Sequence, residues 1–131
     1  MAERILLLLV GLFHAANALM MLVFPLAWAA HVVHQPAPSH LELHFIADIG
    51  MAFLASAAAL LWSARRGAIF APWALAGAAW PALHAFIHVN EWFIDGPPTA
   101  MIDLLNEGLG VIAVGAVGLL LAWMRLKTGD A

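Results

Sequence analysis

Three pairs of imidazole or carboxylate groups, His44/Asp48, His84/His88 and Asp103/Glu107, stand four residues apart in otherwise apolar sequence. Residues i and i+4 share one face of a helix, so each pair can present two donors to the same side. Imidazole nitrogen and carboxylate oxygen suit iron, copper, zinc or manganese. Carboxylate and imidazole pairs projecting into a four-helix core build the ferritin-like di-iron sites, although those use i,i+3 spacing. The pattern predicts a buried transition-metal site for one or two ions, with His44, Asp48, His84, His88, Asp103 and Glu107 as ligands.

The chain has no cysteine. Thiolate zinc sites, iron–sulfur clusters and covalently attached haem are therefore excluded. The single lysine, Lys127, stands near the C-terminus, which rules out a retinal Schiff base in mid-helix.

The elements that must position these groups follow from composition. The 131 residues are 65% hydrophobic and 10% charged, where a soluble domain would be about a quarter charged. A membrane span needs about 20 mostly apolar residues. Four stretches qualify, at about 5–24, 41–63, 69–92 and 99–124. The expected architecture is one all-α integral membrane domain over 1–131, an up-down bundle of four transmembrane helices. The start, Arg4 followed by "ILLLLVGLF" and "ANA", has the outline of a signal peptide and is read here as helix 1.

Arg4, Arg65, Arg66, Arg125 and Lys127 are all the Lys and Arg residues. An up-down bundle with both termini on one side gathers all five there, and the positive-inside rule makes that side cytoplasmic. In a bacterial inner membrane the candidate metal site then faces the periplasmic side. Trp28, Trp62, Trp73, Trp92 and Trp123 fall near span ends, as an aromatic belt would, and Trp80 lies near mid-membrane. Ala74/Ala78 and Gly118/Ala122 supply small residues for close helix packing. No run of positive charge suggests nucleic acid. The expected partners are the lipid bilayer and either further copies of the chain or a larger membrane complex.

Helical rise converts these boundaries into depth. At about 1.5 Å per residue, Asp48, His84 and Glu107 fall in one layer and His44, His88 and Asp103 in a second, roughly 6 Å further out. A charged group near mid-membrane costs about 2.5–3.5 kcal/mol on insertion scales, so ionisable residues at depth are functional candidates facing the bundle interior. No Lys or Arg stands in that half to pair with the carboxylates. His14, Asn17, His40, Glu91 and Asn106 are candidates for additional ligands or for orienting the first set. His31 and His34 read as solvated loop residues. Pro81 should kink the third span and widen the space above it.

Redox chemistry at a non-haem metal, on a lipophilic substrate or quinol, is the expectation that the cluster raises. Haem b on His44 and His88 is an alternative, but the half lacks the cationic partners that propionates prefer. A non-enzymatic accessory subunit with a structural His cluster, and a metal or proton transporter, are the others. The stretch "GLFHAANALMMLVFP" resembles the first helix of several small four-helix bacterial membrane families, the DoxX-like ones among them. That resemblance rests on small and apolar residues and implies no function.

Overall fold

Residues 2–34 and 37–128 are described by the computed structural model. Helix α1 spans Ala2–Val23, α2 Pro25–Val32, α3 His40–Ser63, α4 Ala71–Asp95, α5 Met101–Leu105 and α6 Val114–Thr128. A 3₁₀ turn, Ala68–Phe70, leads into α4, and a π-helical segment, Asn106–Ala113, joins α5 to α6. Among the described residues, four helical stretches are long and apolar enough to cross a membrane: Ala2–Val23, His40–Ser63, Ala68–Asp95 and Met101–Thr128. They match the four expected spans to within a few residues. Among the described residues there is no strand.

The spans pack in sequence order, α1 on α3, α3 on α4 and α4 on α6, with α6 returning to α1. Glycine lets the backbones meet. A Cβ on Gly77 would stand 2.7 Å from the Leu60 nitrogen, and one on Gly115 would stand 2.7 Å from the Pro81 carbonyl oxygen. Those two positions set the α3–α4 and α4–α6 approaches. Pro81 is buried within α4, and its carbonyl forms part of the α6 contact.

One feature was not expected from sequence. Residues after Pro25 form α2 instead of an open loop. A residue before proline is disfavoured in the helical region, and Phe24 accordingly breaks α1 with φ −129° and ψ 52°. Pro25 then occupies the first turn of a new helix, where its missing N–H costs nothing. The α3 start is fixed by "SHLE", a capping box. The Ser39 hydroxyl accepts from the Glu42 backbone N–H at 3.3 Å, and the Glu42 carboxylate accepts from the Ser39 N–H at 2.6 Å.

The basic end is stitched together by arginine. Arg4 Nε donates to the Ala64 carbonyl at 2.9 Å. Arg125 is fully buried. Its guanidinium donates to the carbonyls of Ser63, Arg65 and Gly67 at 3.4, 3.1 and 3.2 Å. Gly67 holds φ +115°, a conformation that favours glycine, so this turn is closed by α6 from below. Arg65 lies 4.3 Å above the Trp62 ring, and Lys127 lies 4.5 Å above Trp123.

Packing divides the bundle into unequal halves. Near the basic end, Leu7, Leu60, Ala74, Ala78, Leu121 and Ala122 form a closed core. Towards the opposite end, Ala18, Met21, Ala29, Ile46 and Phe53 pack α1, α2 and α3 together. The π-helical segment contributes no buried residue there. A cavity of about 830 Å³ opens in that half, bordered by α1, α2, α3, α4 and the α5–π stretch.

Candidate functional site

The cavity walls are mostly apolar, with Phe13, Met21, Phe45, Ile46, Ile49 and Phe53 among them. Polar groups reach it from several elements: Asn17 from α1, His84 and His88 from α4, Glu107 from the π-helical segment. This is the usual composition of a small-molecule site, a concave apolar surface with a few placed polar groups.

His84 and His88 sit one turn apart on the inward face of α4, their rings in edge-to-face contact at 4.9 Å. His84 stacks on Trp80 at 5.7 Å and meets the edge of Phe53 at 5.6 Å. His88 Nδ1 lies 3.5 Å from Glu91 Oε2 and 3.6 Å from Glu107 Oε2. Both distances exceed hydrogen-bond length, and Nδ1 is buried without a hydrogen-bond partner. Glu107 is held from the other side. Trp92 Nε1 donates to Glu107 Oε2 at 2.7 Å. Trp92 follows His88 by one turn of α4, so a single helix face supplies both the imidazole and the group that aims the carboxylate at it. π-helical segments recur at functional sites because they displace a side chain from its regular position. Here the segment begins at Asn106 and presents Glu107 to α4.

The six expected ligands are not gathered at one place. His84, His88 and Glu107 share the cavity wall. Asp103 also lines the cavity but pairs with His34, Nδ1 to Oδ1 at 2.8 Å. His44 and Asp48 pair with each other at 3.4 Å on the outward face of α3, their side chains 63% and 61% exposed. The two-layer arrangement expected from depth therefore fails in azimuth on α3. The reason is packing. Ile46, Gly50, Phe53, Ala57 and Leu60 form the buried stripe of α3. At about 100° per residue, His44 and Asp48 fall roughly opposite it. Gly50 fixes that rotation, because a Cβ there would stand 3.1 Å from Met21. Among the described residues, no three His, Asp or Glu side chains are arranged to hold a metal ion as they stand. His44 and His88, the pair that a haem would need, do not face a common gap.

The candidates for supporting roles divide similarly. Asn17 lines the cavity, and its Oδ1 accepts from Trp28 Nε1 at 2.9 Å. Asn106 Nδ2 donates to the Val32 carbonyl at 3.4 Å. Glu91 is exposed beside His88, and His40 is exposed in the first turn of α3. His14 is 3% exposed, with both ring nitrogens unpartnered. It stacks on Phe53 at 5.2 Å and behaves as a packed aromatic residue of the core.

His34 differs from the solvated residue expected. It adopts φ +55° and reaches Asp103, because α2 folds the chain back over the cavity. With Asn106 on Val32, it ties residues 32–34 to the α5–π stretch. Glu42 was missed as a cavity residue. The "SHLE" capping box was the available signal, since it fixes where α3 begins and hence which way Glu42 points.

No protein-family model matches the chain, and no curated protein or solved structure is significantly similar to it.

Proposed function

We propose that the chain is an integral membrane protein, its arginine-rich end cytoplasmic and its cavity in the outer half of the bilayer. There it binds a membrane-soluble molecule with an apolar body and a hydroxyl-bearing head, of the quinol class. The observation that carries this is the position of His88 and the Trp92-held Glu107 in the wall of the 830 Å³ cavity. The apolar walls take the body of the ligand. A hydroxyl at the polar wall donates to Glu107, whose carboxylate is already oriented by the indole N–H. His88 stands beside it to share or receive the proton. His84, stacked on Trp80 and braced by Phe53, fixes the other side of the head group.

The test is equilibrium binding of a short-tailed quinol to the purified protein in lipid nanodiscs. Saturable one-site binding is expected. Glu107→Gln should weaken it about tenfold, the worth of one charge-assisted hydrogen bond. Gly110→Leu should abolish it by filling the space, since no atom lies within 4 Å of a Cβ there. Non-saturating partition, equal in all three proteins, would overturn the reading.

A second reading is a transition-metal centre at the same wall. It is favoured by the convergence of three expected ligands, His84, His88 and Glu107, with Glu91 alongside. These groups would have to rotate towards a common point to coordinate iron, copper, zinc or manganese. Stoichiometric metal in the wild type, lost in His84→Ala and Glu107→Ala and kept in His44→Ala, would establish it; no bound metal would dismiss it.

A further inference from the structure

The exposed faces of α1 and of α6, up to its basic last turn, are apolar, as lipid requires. That of α3 is not. Read from His44, its outward residues are His44, Asp48, Met51, Ala55, Ala58 and Trp62, all exposed. Asp48 stands about 22 Å from the Ser63 end of the helix, at about 1.5 Å per residue. That is within a hydrocarbon core about 30 Å thick. This step rests on the membrane reading above, though not on the cavity ligand. An imidazole and a carboxylate facing lipid at that depth are unfavourable. The 3.4 Å contact between them leaves most of each side chain open.

We infer that this face of α3 is the interface of a parallel homodimer, in which His44 and Asp48 of the two copies pair across the two-fold axis. Three observations select a second copy as the occupant. The polar groups are self-complementary: an imidazole and a carboxylate one turn apart meet the same two groups on an identical helix at the same depth. A two-fold interface sets His44 of each copy against Asp48 of the other in adjacent layers. The outward residues recur at intervals of four, three, four, three and four, the seam along which two parallel helices wind left-handedly around each other. Ala55 and Ala58 occupy that seam towards the arginine-rich end, where small side chains let backbones approach. The closed apolar core and the cavity lie on the other side of α3, so the dimer leaves both intact.

The absence of cysteine makes the test direct. Met51→Cys on the seam and, as control, Leu119→Cys on the exposed face of α6 are expressed as full chains in membranes and oxidised. The expected result is a disulfide-linked dimer from Met51→Cys and none above background from Leu119→Cys. Adding His44→Leu and Asp48→Leu to Met51→Cys should weaken association about 3- to 30-fold, the usual worth of polar contacts between helices in lipid. A helical circular-dichroism signal and a melting temperature in detergent close to those of the wild type would show that this variant folds. Equal cross-linking at both positions, no cross-linking at Met51, or full cross-linking without His44 and Asp48 would each overturn the inference. So would a different membrane protein captured at Met51 in stoichiometric amount.

Discussion

Glu107 matters because two neighbours define it. The Trp92 indole N–H fixes one carboxylate oxygen at 2.7 Å, and His88 faces that same oxygen at 3.6 Å. Trp92→Phe keeps the aromatic bulk and removes the donor. It should weaken quinol binding about tenfold, comparably to Glu107→Gln, with the melting temperature in detergent nearly unchanged. Binding as tight as wild type would mean that the carboxylate is not aimed by Trp92. Depth alone made His84, His88 and Glu107 legible in the sequence, because helical rise assigns a height to every residue. Height says nothing about rotation. His44 and Asp48 stand at suitable heights on the wrong side of α3. The spacing of Ile46, Gly50, Phe53, Ala57 and Leu60 carried that information, as the best packing stripe on the helix.

At the scale of elements, the four spans were legible because apolar length is a strong signal. Their irregularities were weaker signals. Pro25 reads as a stop for α1 and equally as a start for α2. The π-helical segment has no local sequence mark beyond its glycines, Gly108 and Gly110, and these have loose surroundings. Glycines thus play opposite roles in one bundle. Gly77→Ala and Gly115→Ala each force a Cβ to within 2.7 Å of backbone on the adjacent helix. Each should cost about 1–3 kcal/mol by overpacking, read as a lower melting temperature. Gly110→Ala should change stability by less than about 1 kcal/mol, because its Cβ meets nothing and alanine is the better helix former. Comparable losses at all three positions would show that close approach is not what these glycines provide.

For the whole molecule, the division into a closed half and an open half is the organising fact. Ala74, Ala78 and Ala122 let the helices of one half approach closely around Leu7, Leu60 and Leu121. In the other half, α2 and the π-helical segment spread the walls apart around the cavity. The two halves differ in kind as well as in packing: small and aliphatic side chains close one, whereas aromatic and ionisable side chains line the other. The five Lys and Arg residues are confined to the closed half's end, and the proposed orientation follows from them. Single cysteines test it: Thr99→Cys should react with a membrane-impermeant maleimide added to intact cells, and Thr128→Cys only after the membrane is opened. The reverse pattern would invert the topology and turn the cavity towards the cytoplasm.

Arg125 has a consequence for the order in which the protein is made. The turn over Ser63–Gly67 is made after the first two long helices, but the guanidinium from which its carbonyls accept belongs to the last one. The corner lacks these three hydrogen bonds until α6 has been made and packed. The bundle therefore carries its own proof of completed synthesis. Truncation before α6 would remove all three hydrogen bonds from a turn that lies about 60 residues earlier in the chain.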